Sequence, residues 1–338
     1  MNLFKNFFKY KNKIAILDKN REITFGDLID SNKKFKNIVK KRSIFLLIID
    51  NSIFTIEKYI NIISNNHLAI LVDSKANAHN LDSLINSYKP NYIISNKNWF
   101  SDKKIGKMKV IEQYGEYIFV STKYKPSRIN NELSLLMPTS GTMKSLKYVK
   151  LTFKNLKFNS DKIKKYLNIS YRDRAITSMQ PSYSFMISII NSHLDNGASI
   201  YITNESLLQK NFWKEFVQRK ISSFSGVPFM FELLLNIGIK KIFHKSLKTI
   251  TQAGGNLDTK HKIKIINFCK KNRIKFFSMY GQTEASPRIA YLDWKFAKKK
   301  NGSIGKNLED TKMWLENENN QKINKPFIDG EIVFKGKN

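Results

Sequence analysis

Residues 44–49 read Ile-Phe-Leu-Leu-Ile-Ile, an unbroken apolar run. Its length suits a strand and falls far short of a membrane span. No polar face remains, so both faces of such a strand must be covered, as inside a parallel sheet flanked by helices. The neighbouring segments keep to that plan. Ile53, Ile56, Tyr59, Ile60 and Ile63 recur at helical spacing, Leu68 to Val72 reads as a strand, Leu81 to Tyr88 as a helix stopped near Pro90, and Tyr92 to Ile94 as the next strand. Such alternation defines an α/β fold with parallel pairing.

The pattern extends in both directions. Ile14 to Leu17 reads as a strand, and Thr24 as the N-cap of a helix running to about Lys40. Glu116 to Thr122 and Glu132 to Met137 read as strands, and 155–167 as a helix. Strands at 173–178, 198–202, 248–251 and 276–279 then alternate with helical stretches through His193, over 207–220, 229–235 and 258–271. His193 reads as a packed histidine, and His67 and His79 carry no partners that would give them a role. Beyond Pro287 the texture changes to short strands at 289–294, 313–315 and 331–334, punctuated by Gly302, Gly305 and Gly330. Residues 1–288 therefore read as an α/β core of two sheet subdomains, and 289–338 as the start of a β-rich subdomain that is cut short.

Charge and cysteine usage narrow the function classes. Lys+Arg number 59 against 27 Asp+Glu, a formal net charge of +32. The excess is spread along the chain without an Arg-rich block or basic helix, so it reads as a solvated surface and not as a specific nucleic-acid site. Cys269 is the single cysteine, which excludes an intramolecular disulfide and suits a reducing cytoplasm. Met1 to Lys13 lacks the apolar stretch of a signal peptide. The expected location is cytoplasmic.

Four loops at strand ends concentrate the chemistry: Thr139-Ser140-Gly141-Thr142 with Lys144 and Lys147 behind it, Pro181-Ser182-Tyr183-Ser184-Phe185, Ala253-Gly254-Gly255-Asn256-Leu257, and Tyr280-Gly281-Gln282-Thr283-Glu284. Hydroxyls, backbone N–H groups and ammonium charges are the inventory for holding a polyphosphate, although the first loop taken alone could equally be a hydroxyl-rich hairpin turn. In an open α/β sheet, ligands bind beyond the carboxyl ends of the strands, so several of these loops are expected to share one cleft.

These segments resemble the adenylate-forming (AMP-binding) superfamily, of the acyl-CoA synthetase and aryl-acid ligase type. TSGTMKSLKYV is similar to its phosphate loop, usually TSGTTGxPKxV; SFSGVPFMFELL, TQAGGNLD, MYGQTEASPR, GSIGK and GEIVFKG follow in the family's order. The resemblance implies the family's N-terminal domain: stacked, mostly parallel sheets flanked by helices, then the beginning of a small β-barrel, with the C-terminal domain absent. It implies attack of a carboxylate on ATP to give acyl-AMP and pyrophosphate, with transfer to CoA or a carrier-protein thiol. ATP and Mg²⁺ are the implied cofactors. Thr139, Ser140, Gly141, Thr142, Lys144 and Lys147 would grip the phosphates; Tyr280, Gly281 and Gln282 would hold adenine; Thr283 would bond the α-phosphate and Glu284 bind magnesium. Gly254 and Gly255 would admit adenine and acyl group, and Tyr183, Phe185, Val227 and Pro228 would line the acyl pocket.

Three departures accompany the resemblance. Met143, Lys144 and Leu146 replace the family's usual hydroxyl, glycine and proline; Phe153 replaces a common histidine; and the family's later segments, which carry a ribose-binding aspartate and a lysine-bearing domain, have no counterpart up to Asn338. Completion by a separate polypeptide is one expectation, and a non-catalytic nucleotide- or acyl-binding protein is the alternative.

Overall fold

A computed structural model of the chain describes residues 3–76, 78–100, 108–139, 147–242 and 244–338. Two large sheets stack with helices between them and on both outer faces. The seven-stranded sheet centres on Ile44–Ile49, which pairs in parallel with Leu68–Asp73 on one side and Tyr92–Asn96 on the other. Leu133–Pro138 extends the parallel set beside Leu68–Asp73, and Tyr148–Thr152 closes that edge antiparallel. The opposite edge is antiparallel too: Tyr117–Ser121, then Lys109–Tyr114. Sequence reasoning missed Lys109–Tyr114, because this edge strand exposes much of its length and mixes charge with apolar residues.

Side-chain alternation explains the unbroken apolar run. Phe45, Leu47 and Ile49 enter the core between the two sheets; Leu46 and Ile48 enter a second core with Leu81, Leu84 and Ile85 of helix Ala78–Tyr88. Each fully buried aliphatic side chain of this kind contributes about 1.5–3 kcal/mol relative to exposure, so a polar residue on either face would be penalised.

The nine-stranded sheet holds six parallel strands in the spatial order Lys275–Gly281, Thr249–Gln252, Ser223–Gly226, Arg174–Ile176, Ser199–Tyr201 and Ile14–Leu17. Helices Lys210–Gln218, Pro228–Ile237 and Thr259–Lys271 cover its outer face through Phe212, Phe216, Phe231 and Ile265. Helices Phe25–Ile38, Ile53–Ser64, Phe153–Leu167 and Ser184–Leu194 fill the layer between the sheets. Thr24 caps its helix as expected, in a capping box with Asp27. A second box, Thr152 with Asn155, starts the Phe153–Leu167 helix two residues before the expected position. Cys269 is buried, and burial pushes its thiol pKa up to about 12, consistent with a packing role. His193 is buried as well, with Nδ1 2.9 Å from the Ile189 carbonyl.

Past the 288/289 division drawn from sequence texture, Arg288–Leu292 and Lys306–Asn307 still extend the nine-stranded sheet, antiparallel to its edge. The separate three-stranded sheet starts at Lys312–Glu316, which pairs antiparallel with Lys322–Ile323 and Glu331–Lys335. Among the described residues, no helix is long and apolar enough to cross a membrane.

His67 ties stability to pH. Its ring is buried against Phe35 and Phe45; Nδ1 accepts the Ser43 N–H at 3.2 Å, and Nε2 has no partner. Burial, and secondarily the Arg42 charge, lowers its pKa to about 4. The unfolded chain protonates this group near the ordinary value of about 6.5, so it binds the additional proton between those pH values. Stability should therefore fall as pH drops from about 6.5 towards 4, by up to ~3 kcal/mol from this group. Urea denaturation at pH 7 and pH 4.5 measures the loss. His67→Asn, which keeps an acceptor near Nδ1, should reduce it.

Candidate functional site

The register of the nine-stranded sheet brings two of the four motifs, and the Val227-Pro228 segment with them, to one level. Gly226 pairs with Gln252, and Gln252 pairs with Ser278. The loops that follow, Val227-Pro228, Ala253-Gly254-Gly255 and Tyr280 to Glu284, therefore leave the carboxyl edge side by side. Gln252 joins them: its Nε2 donates to the Gly255 carbonyl at 2.8 Å, and its Oε1 accepts from Ser278 Oγ at 3.1 Å. Gly254 and Gly255 have φ of +77° and +149°. A Cβ on Gly254 would lie 3.0 Å from Val227 Cγ1, and one on Gly255 3.1 Å from Pro228 Cγ. The glycines thus permit the close packing of this loop on Val227 and Pro228.

The second motif joins the two sheets. Ser182 Oγ donates to Asp73 Oδ2 at 2.6 Å, and Asp73 ends a strand of the seven-stranded sheet. Ser184 Oγ lies 3.1 Å from Thr283 Oγ1. Thr283 opens the short 3-10 turn Thr283–Ala285, which packs against strand Tyr148–Thr152. The carboxyl ends of both sheets therefore face a common region. Leu133–Pro138 ends there too: Thr139 N–H donates to the Lys147 carbonyl at 3.0 Å, joining that strand's end to the start of Tyr148–Thr152. Ser140, Gly141, Thr142, Met143, Lys144 and Leu146 lie outside the described residues.

Tyr280, Gln282 and Glu284 line a cavity of about 650 Å³, also walled by Glu331, Phe334 and Asn338. Glu284 is exposed in it and forms no ion pair among the described residues. Tyr183, 57% exposed at the N-cap of helix Ser184–Leu194, is free to meet a ligand. Phe185 is instead buried in the inter-sheet core, with the Arg288 guanidinium 5.1 Å from its ring centroid. Val227 and Pro228 are half-buried beside the glycine loop.

Sequence reasoning passed over Asp73, Ser184, Gln252 and Arg288. Asp73 lies outside the quoted motifs, and Ser184 and Gln252 lie inside them, but their contacts with Ser182, Thr283 and Ser278 depend on residues far along the chain. Arg288 does have a local signature: a guanidinium next to the apolar stretch Ile289-Ala290-Tyr291-Leu292.

Stacked parallel sheets with helices between and outside them, and hydroxyl, glycine and carboxylate loops at one carboxyl edge, define an α/β protein of the adenylate-forming class. The chain belongs to the AMP-binding enzyme family, whose model matches residues 3–338. It is 22% identical over 344 residues to a 2-succinylbenzoate–CoA ligase of Geobacillus sp. (strain WCH70), covering 99% of this chain and 68% of that protein. The corresponding ligase of Listeria innocua is 26% identical over 201 residues, 60% of this chain and 39% of that one. Among solved structures, O-succinylbenzoate coenzyme A synthetase (MenE) from Bacillus subtilis in complex with AMP superposes with a TM-score of 0.80 at 19% identity, over 99% of this chain and 70% of that one. VinN superposes with a TM-score of 0.82 at 16% identity, over 100% of this chain and 88% of that one. These likenesses bear out the α/β architecture expected from the sequence.

Proposed function

We propose that this chain binds ATP·Mg²⁺ and a carboxylic acid and forms the acyl-adenylate, which is then passed to CoA or a carrier-protein thiol. The observation that carries this reading is the meeting of Ser184 and Thr283 at 3.1 Å at the carboxyl edge of the nine-stranded sheet, where Ser182–Asp73 and the packing of Thr283–Ala285 on Tyr148–Thr152 bring in the seven-stranded sheet. In the reaction a carboxylate oxygen attacks the α-phosphorus and the bond to the β-phosphate breaks, releasing pyrophosphate. Charge grows on phosphate oxygens, so preorganised donors and a cation serve better than a nucleophile.

Thr283 is assigned to the α-phosphate. Thr139 and Lys147, together with Ser140, Gly141, Thr142 and Lys144, are assigned to the β- and γ-phosphates. Tyr280, with Gly281 and Gln282, is assigned to adenine, and the Gly254-Gly255 backbone to the rim shared by adenine and acyl group. Tyr183, Val227 and Pro228 are assigned to the acyl side. Glu284 fits magnesium: an exposed carboxylate with no ion pair among the described residues, one residue from the α-phosphate hydroxyl, is the hard oxygen ligand that Mg²⁺ takes alongside phosphates. Bound there, Mg²⁺ would offset phosphate charge. The names of the relatives support CoA as the acceptor.

Calorimetric titration with ATP·Mg²⁺ and with a non-hydrolysable acyl-adenylate analogue should show saturable binding of both, and an acid panel should show pyrophosphate exchange. Absence of binding by either ligand overturns the reading. Binding without exchange favours the non-catalytic alternative.

A further inference from the structure

A second cavity, of about 150 Å³, opens at the amino edge of the nine-stranded sheet. Ser223, Thr249 and Lys275 form one row of its wall, paired in register across three parallel strands. Their neighbours Phe224, Ile250 and Phe276 enter the outer core, so strand alternation turns this row inward. His193 of helix Ser184–Leu194 and Asp173 face the same space. Asp173 is fully engaged. Its Oδ1 accepts from Ser222 Oγ at 3.1 Å and from Lys248 Nζ at 3.0 Å, and its Oδ2 accepts the Ser170 N–H and hydroxyl, both at 2.8 Å. Other lining groups are left over. Lys275 Nζ forms no ion pair or hydrogen bond among the described residues, and neither does Ser223 Oγ, on a residue only 6% exposed. His193 is 1% exposed. Its Nδ1 lies 2.9 Å from the Ile189 carbonyl, which can only accept, so Nδ1 carries the hydrogen and Nε2 presents a lone pair. Nε2 has no partner among the described residues. Burial lowers the pKa of the ring, which keeps it neutral.

These unpaired groups specify a ligand. Lys248 offsets the Asp173 charge, so Lys275 leaves the wall positive and, with the Ser223 hydroxyl, calls for an anion. The imidazole lone pair calls for a donor. An oxyanion that still carries a proton meets both demands. We infer that this cavity binds a free hydrogen phosphate ion, its oxygens on Lys275 Nζ and Ser223 Oγ and its P–OH donating to His193 Nε2. Inorganic phosphate keeps a P–OH at neutral pH. Sulfate has lost its proton there, and a phosphate ester has a substituent on one of its oxygens. The site is separate from the adenylation proposed above and does not depend on it. Strand Lys275–Gly281, seven residues long, carries Lys275 at one end and the Tyr280 loop at the other, about 20 Å apart. A site built to hydrogen-bond a ligand's proton discriminates strongly against an anion of the same shape that lacks it.

The test is calorimetric titration of the full chain at pH 7 and constant ionic strength with sodium phosphate, sodium sulfate and methyl phosphate. Phosphate should bind saturably, and at least about tenfold tighter than either of the others. Ser223→Ala should weaken phosphate by about threefold to tenfold. Lys275→Met, which removes the charge, should weaken it by about tenfold or more. Failure of phosphate to saturate overturns the inference, and so does sulfate binding as tightly as phosphate. Methyl phosphate binding as tightly as phosphate assigns the cavity to a phosphoryl group on a larger molecule and overturns the free ion. These three arms use the wild type and need no variant to fold. Phosphate binding that survives both substitutions lies elsewhere on the chain and also overturns the inference.

Discussion

Gly281→Ala is expected to abolish nucleotide binding and to lower the unfolding free energy by about 1–3 kcal/mol. A Cβ at this position would lie 1.7 Å from the Pro287 carbonyl oxygen and 2.8 Å from its carbon. Both atoms are backbone, so no side chain can swing clear. Relief requires Lys275–Gly281 to separate from Arg288–Leu292, which pair antiparallel with Gly281 opposite Arg288. Thr283 and Glu284 sit in the short connection between those strands and would move with them. Gly115→Ala is the control. Its φ of +55° is strained for alanine, but nothing lies within 4 Å of the added Cβ, so a cost of about 1–2 kcal/mol with intact ATP binding is expected. Chemical denaturation and ATP titration of both variants measure the contrast. Full ATP affinity in Gly281→Ala would show that this turn does not hold the nucleotide.

Glu284→Gln is expected to fold normally and to lose the magnesium-dependent part of ATP binding. The side chain is exposed in the cavity that Tyr280 and Gln282 line, so the substitution disturbs no packing. It removes the charge and keeps the shape. A metal contributes several kcal/mol of charge stabilisation to phosphoryl chemistry, and each ~1.4 kcal/mol is tenfold in rate, so pyrophosphate exchange should fall by about 100-fold or more. ATP titrations with and without Mg²⁺ should converge in the variant and differ in the wild type. If Mg²⁺ strengthens ATP binding equally in both proteins, another group holds the metal.

Much of the architecture was legible because it is written locally. The run Ile44–Ile49 announces a strand covered on both faces, and Phe45 and Leu46 do enter opposite cores. Thr24 and Asp27 show a helix start through a hydrogen-bond exchange only three residues long. What the local pattern left out followed the same logic. Lys109–Tyr114 has little burial of its own and exists as a strand through its neighbour. The sequence texture of 289–294 points to a small β unit, whereas backbone pairing with Lys275–Gly281 carries Arg288–Leu292 into the large sheet.

Residue types and their order were enough to bring out the α/β class, the four loops and the family, because periodicity, caps and short motifs depend on neighbours within a few positions. The assembly of those loops depends on register between distant strands. Gly226, Gln252 and Ser278 share one level, Asp73 reaches Ser182 across the sheets, and Ser184 meets Thr283. Only the tertiary structure could decide that Phe185 packs in the core while Tyr183 stays open, and that Arg288 is buried with no carboxylate paired to it among the described residues. A side chain's surroundings are set by elements a hundred or more residues away, and nothing in its own stretch of chain encodes them.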